Sequence, residues 1–361
     1  MSNLYISTYL GAYRVDLCEF LHRELGCRIF HYVGEDGLSP DARYWMKGTS
    51  FEPEYLRPRY LLGRPRLPHL RRLIAENRPK VVFVQEFSMV TFRLAMLRRR
   101  YGFRLVSICD DSMDMIEGND FSRIHRWARK RMPRLVDEIL LGSPAVRDWY
   151  RNRFGKGIFM PLIHRDEVFR KAVEGALPAC AALRRRYGLD DGLPVVLFIG
   201  RLVKEKNLEC LLEAAAPLRD RMHLVLIGAG DCEAALREAD ERFGAGALFL
   251  GSLYGDDLLP WYHLADILVL PSRQEAFGAV VGEALQVGCP VLVSRRAGAA
   301  CLVEEGRTGE CFDPSSPAEC TAALSRMLDR RAPSRGDESL RPNLLNTRFD
   351  TCAEQLLRLA E

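Results

Sequence analysis

Short apolar runs alternate with amphipathic stretches along almost the whole chain, the pattern of parallel α/β domains whose strands are buried on both faces. In the first half, Leu4–Ser7, Val81–Gln85, 105–109 and Glu138–Leu141 predict strands, with a long irregular insert rich in Pro, Arg and Tyr at 36–68. Residues 159–191 predict a connection, containing a helix at 181–187 and a turn at 190–194. The second half restarts with Val195–Ile199 and repeats the theme at 224–227, 248–250, Ile267–Leu270 and 291–293. Helices are expected between these strands at 208–218, 232–243, 256–264 and 279–287, a polar loop at 333–343, and a short amphipathic helix at 351–360. This predicts two Rossmann-like parallel-sheet domains of similar size, 1–165 and 190–335, facing a cleft. Ligands in such sheets bind outside the carboxyl ends of the strands.

A chain of 361 residues is long enough for two cores of ordinary size. No apolar run approaches the roughly 20 residues of a membrane-spanning helix, and Met1-Ser-Asn-Leu lacks the basic start and apolar core of a signal peptide. The eleven cysteines form no Cys-x-x-Cys pair, and Cys109, Cys210 and Cys289 fall in apolar runs. That argues for buried thiols in a reducing cytosol rather than a disulfide framework or a zinc site. The net charge of +4 hides an asymmetry: residues 1–160 hold 28 Lys and Arg against 18 Asp and Glu, the remainder 24 against 30. A basic first half is expected to meet something anionic.

Glu275 and Glu283 flank and enter the helix that follows Ile267–Leu270. At about 1.5 Å per residue they stand about 12 Å apart, too far to share a proton or a small ion and suited to gripping two parts of one elongated ligand. The amides of Phe277 and Gly278 open that helix, where an anionic oxygen is favoured. Arg201 and Lys206 bracket the turn that starts at Gly200, directly after a buried strand, and can flank a pyrophosphate; Lys204 and Glu205 read as ordinary surface. Gly228-Ala-Gly230 follows another strand, but Glu233 occupies the third glycine position of a dinucleotide fingerprint. A close ligand approach and a plain tight turn explain it equally well. In the first half, Gly11 links the first strand to a helix and can bring backbone amides to a phosphate. Asp110-Asp111 stand at another strand's end, where a turn and helix cap is the commoner role and a catalytic role for one of them is also open. No two aspartates lie at i, i+2, so the chelating Asp-x-Asp of many sugar transferases is missing, and fixed cations and helix amides (Arg201, Lys206 and the amides of 277–278) would have to stabilise a leaving diphosphate.

Three blocks, Gly200-Arg201 to Lys206-Asn207, Leu250-Gly251 through Trp261 to Asp266, and Pro271-Ser272 through Glu275 to Glu283, resemble the retaining glycosyltransferases of the large family four (group 1), which have the GT-B fold. The resemblance is specific over 195–315 and general in the first half. It implies that Arg201 and Lys206 hold the donor diphosphate, Glu275 the donor sugar, the amides of Phe277 and Gly278 sugar and phosphate, Glu283 the ribose, and that Leu253 contacts the base. It implies no metal or other cofactor, and a last helix (345–361) that crosses back onto the first domain. Asp110 stands where many members carry a histidine, and Cys301 where a glutamate often follows. The implied partners are a nucleotide-sugar donor, a glycan or lipid-linked acceptor of surface polysaccharide synthesis and, through the basic stretches 57–66 and 123–134 with Trp127, an anionic membrane surface; nucleic acid is not among them. A solvated basic face or a cradle for an anionic acceptor explains those stretches too. A nucleotide-sugar hydrolase or epimerase, a non-catalytic partner subunit and, most remotely, a nicotinamide oxidoreductase are the competing readings.

Overall fold

A strand buried on both faces needs an unbroken apolar sequence, and each apolar run named above is a strand in the computed structural model, which describes residues 2–32, 38–61, 64–117, 123–330 and 339–360. The chain divides into two units, Met1–Leu162 with Phe349–Glu361, and Ile163–Arg348.

The first unit is built on β1 (Leu4–Ser7), β2 (Arg28–His31), β3 (Glu54–Tyr55), β6 (Val81–Gln85), β7 (Arg104–Cys109), β8 (Glu138–Leu141) and β9 (Ile158–Phe159), all parallel in the order 3-2-1-6-7-8-9. β4 (Arg59–Leu61) and β5 (Arg64–Arg66) pair antiparallel beside it. β2 carries only Ile29 and Phe30 as an apolar signal, because its polar ends are used laterally. Arg28 donates from Nε to Glu54 at 2.7 Å, and the His31 ring meets Tyr55 at 5.7 Å. The insert 36–68 therefore contains two more short strand pairings and the Ser39-capped helix Pro40–Trp45, with 36–37 and 62–63 outside the described residues. Helix Met89–Tyr101 starts with a reciprocal cap between Ser88 and Thr91. The chain's last stretch is a one-turn helix, Phe349–Ala353, and a 3-10 turn, Glu354–Leu359, rather than one helix. Phe349 packs edge-on against Phe20 at 6.3 Å, and Arg104 donates to the Arg358 carbonyl at 3.0 Å.

The second unit holds β10 (Val195–Ile199), β11 (His223–Ile227), β12 (Leu248–Phe249), β13 (Ile267–Leu270), β14 (Val291–Ser294) and β15 (Gly309–Phe312), parallel in the order 12-11-10-13-14-15. The stretch expected as a connection is a structural part of this unit. Phe169, Val173 and Cys180 form a buried stripe on helices Asp166–Ala176 and Cys180–Tyr187, and Phe169 meets Tyr262 edge-on at 5.5 Å while Tyr187 meets Trp261 at 5.5 Å. Burying each such large apolar side chain is worth about 1.5–3 kcal/mol. The polar loop expected at 333–343 lies outside the described residues up to 338, and 339–343 carry no helix or strand.

The two strand orders place the ligand-facing loops. In the first unit the winding reverses between β1 and β6, and in the second between β10 and β13. Diverging connections leave a crevice at the carboxyl ends of those strands. The loops there are 8–14 and 86–88 in the first unit, and 200–207 and 271–278 in the second.

Candidate active site

At the reversal in the second unit, the β10 loop makes a 3-10 turn, Lys204–Lys206, that ends on Asn207 in the left-handed region, φ 57°. The buried Asn207 amide donates to the carbonyls of Pro271 (3.1 Å) and Pro314 (2.8 Å), which pins this loop to the end of β13. The Arg273 amide adds a bond to the Glu205 carbonyl at 2.9 Å. With the loops so joined, Lys206 Nζ forms an ion pair with Glu275 Oε2, and Ser272 Oγ donates to the same oxygen at 3.4 Å. Both charged side chains are shielded, 16% and 15% exposed. Arg201, on the same loop, is exposed and forms no ion pair among the described residues.

Gly228 and Gly230 have a reason of their own. A Cβ on Gly228 would lie 1.8 Å from the Gly200 carbonyl oxygen, and one on Gly230 would lie 2.4 Å from that of Leu202. The close approach is between the loops of β10 and β11, sealed by Leu202 N donating to Ala229 O at 2.9 Å. Phe277 is buried, and Gly278 at φ 95° leads directly into helix Ala279–Gln286. Leu253 is half-buried in the loop after β12. Cys301 lies exposed on the 3-10 turn Gly298–Leu302.

Glu283 is one turn into that helix and only 13% exposed. It is not left unpaired: Tyr262 donates its hydroxyl to Oε2, and His164 Nε2 lies 3.4 Å from Oε1. Neither partner was legible in the sequence, Tyr262 being 21 residues away and His164 more than a hundred.

In the first unit the structure changes the reading of Asp110 and Asp111. Gly11 precedes a 3-10 turn, Ala12–Arg14, whose buried Arg14 is ion-paired with Asp110. Asp111 is buried and receives Arg129 Nε at 2.9 Å and the Tyr150 hydroxyl at 2.7 Å. The cap on helix Met113–Glu117 comes from neither aspartate: Ser112 Oγ accepts from Met115 N at 3.2 Å. Asp110, the candidate for a catalytic carboxylate at this strand end, is thus already matched by a buried guanidinium. A carboxyl the pattern gave no reason to select, Glu86, stands beside it at the end of β6. Glu86 has a left-handed backbone, φ 61°, which non-glycine residues adopt at a cost. Its Oε1 accepts from Asp110 N at 3.0 Å, and Arg129 stays 3.6 Å from Oε2. Desolvation of the carboxyl, then the charges of Asp111 and Asp110, push Glu86 up to about 8, while the side chain as a whole is 35% exposed.

Among the described residues no three His, Cys, Asp or Glu side chains converge as a metal-binding group, and no helix is long and apolar enough to cross a membrane.

Comparison with known proteins adds to this geometry. Residues 193–330 match the family model described as "Glycosyl transferases group 1", and residues 11–158 match "Glycosyltransferase Family 4". The chain is 31% identical over 219 residues to the alpha-D-kanosaminyltransferase of Streptomyces kanamyceticus, covering 57% of this chain and 55% of that protein. It is 31% identical over 256 residues to a GDP-mannose-dependent alpha-mannosyltransferase of Mycobacterium tuberculosis, covering 69% and 64%. The chain therefore spans less than two thirds of the length of these curated relatives. Among solved structures, Anabaena HepE in complex with UDP and glucose superposes with a TM-score of 0.76 at 17% identity, over 99% of both chains. That likeness establishes a GT-B fold.

Proposed function

Because the chain belongs to the family 4, group 1 glycosyltransferases, we propose that it moves a hexose-type sugar from a nucleotide-diphosphate sugar to a glycan or lipid-linked acceptor. The observation that carries this reading is the Lys206–Glu275 pair at the strand-order reversal of the second unit, with the exposed Arg201 on the same loop. Lys206 and Arg201 supply fixed positive charge to the diphosphate as the anomeric C–O bond breaks, which is where preorganised charge lowers a barrier most. Glu275 accepts from the sugar hydroxyls, and Glu283 accepts from the ribose.

In this reading the acceptor oxygen attacks the anomeric carbon from the side that the phosphate leaves, and the phosphate takes the acceptor proton. Configuration is then retained. The two cations do the work a bound metal does in other transferases, so no metal is required. The HepE neighbour was solved with UDP and glucose, which supports a nucleotide-sugar donor here.

We place the enzyme in the cytosol at the inner face of the membrane, in surface polysaccharide synthesis. The support is helix Arg123–Arg131, basic along its length, with Trp127 54% exposed. Side chains 123–124 and 61–65 lie outside the described residues.

The test is donor turnover with and without a membrane extract as acceptor source. Transfer requires the extract and is lost in Lys206→Ala and in Glu275→Ala. Near-normal turnover in either variant would remove the donor-site assignment, and free sugar released without extract would favour a hydrolase.

A further inference from the structure

Helix Ala279–Gln286 lies directly on the segment that opens the second unit. A Cβ on Gly282 would come 2.8 Å from Ile163 Cγ2. One turn later, Gln286 Nε2 donates to the His164 carbonyl at 2.8 Å and to Asp166 Oδ1 at 2.6 Å, and Arg170 Nη1 returns to the Gln286 carbonyl at 2.5 Å. Between these contacts, on the same face, stands Glu283. The His164 ring is 3% exposed and stacked flat on Phe169, with centroids 5.2 Å apart and planes within 8°. Its plane is therefore held, with Nε2 3.4 Å from Glu283 Oε1.

A carboxylate offers about four acceptor directions, two on each oxygen. Tyr262 uses one on Oε2, and His164 Nε2 stands within ion-pair distance of Oε1, 3.4 Å away. Among the described residues at least one direction on each oxygen is left, which is what two neighbouring hydroxyls require. Without its side partners the same carboxylate would rotate about its last bond and meet a diol in one orientation among several.

We propose that His164 is a positioning residue for Glu283: with Tyr262 it locks the carboxylate in the orientation that receives the vicinal 2′- and 3′-hydroxyls of a ribose, and so sets the preference for ribonucleotide over 2′-deoxyribonucleotide donors. The inference rests on the donor reading above, which assigns Glu283 to the ribose.

The experiment is calorimetric titration of the full chain with UDP, GDP and ADP and with the 2′-deoxy form of whichever binds. His164→Leu weakens the ribonucleotide about tenfold, the scale of losing one polar contact to a charged group. It weakens the deoxynucleotide about twofold at most, because less diol is there to orient. His164→Gln, which keeps a donor of similar reach, restores most of the affinity. His164→Asn, planar but too short to reach, behaves as the leucine variant and serves where that variant fails to fold. In a Glu283→Ala background the His164 substitution has no further effect. With a donor sugar, the loss falls on KM and leaves kcat unchanged.

Equal weakening of ribo- and deoxynucleotide, or full additivity with Glu283→Ala, would overturn the positioning role. If Glu283→Ala leaves the ribo/deoxy preference intact, the ribose assignment itself fails. If none of the three diphosphates binds, the proposed function fails with it.

Discussion

Lys206 and Glu275, 69 residues apart in sequence, are ion-paired where the strand order of the second unit reverses. The pair holds each side chain in place before any ligand arrives, and a diphosphate would compete for the ammonium while the sugar takes the carboxylate. Lys206→Ala is expected to lower transfer at least about hundredfold, the scale of a lost transition-state charge. Reversing the pair, Lys206→Glu with Glu275→Lys, keeps an ion pair of the opposite polarity and is expected not to recover turnover. Recovery, read as donor consumption, would make the pair structural.

Asn207 makes that arrangement possible. Its buried amide satisfies two carbonyls on two other loops from a left-handed backbone that asparagine tolerates better than most residues. Asn207→Ala leaves both carbonyls without this donor, and a loss of about 2 kcal/mol is expected. A lower urea midpoint with unchanged slope checks it.

Arg129 is the counter-charge to Asp111, whose side chain is fully covered. Arg129→Met strands that carboxylate, and about 3–5 kcal/mol of stability is expected to go. Asp111→Asn with Arg129→Met removes both charges and is expected to recover most of it, in a denaturant double-mutant cycle.

Glu86 should give the first unit a pH signature. Its carboxyl is pushed up to about 8 by burial and by Asp111 and Asp110, against an ordinary value of about 4.5. Between those values the folded chain holds a proton the unfolded chain has released, so ν_U − ν_N is negative and stability falls as pH rises. The contribution is complete below the ordinary value and is lost as pH passes the raised one. Glu86→Gln is expected to flatten this slope in urea titrations from pH 5 to 8. An unchanged slope would mean the carboxyl titrates normally.

How much of this the sequence disclosed follows from where each signal resides. Val81–Gln85 and Val195–Ile199 announce themselves because a strand covered on both faces must be apolar throughout. β2 and β15 do not, since Arg28 reaches sideways to Glu54 and Glu310 anchors Arg326 and Arg330. Arg201, Lys206 and Glu275 are legible because each stands just beyond the carboxyl end of a buried strand, and Glu283 because it lies in the following helix, eight residues from Glu275. Their partners are products of tertiary contact. Nothing local in the sequence says that Arg14 will match Asp110, that His164 will reach Glu283, or that β6 will end beside β7 and so bring Glu86 against Asp110. The glycines at 228 and 230 show the converse: a legible motif whose tight approach is to a neighbouring loop.

The most direct measurement is the thermal midpoint of the wild-type chain and of Lys206→Ala with UDP, GDP, ADP and NAD. A ligand that binds only the folded state at about a hundred times its Kd stabilises it by about 2.7 kcal/mol. A donor grip built on Lys206 predicts that one of the three diphosphates raises the wild-type midpoint and leaves that of Lys206→Ala unmoved. Stabilisation by NAD alone, or an equal rise in wild type and variant, would contradict it.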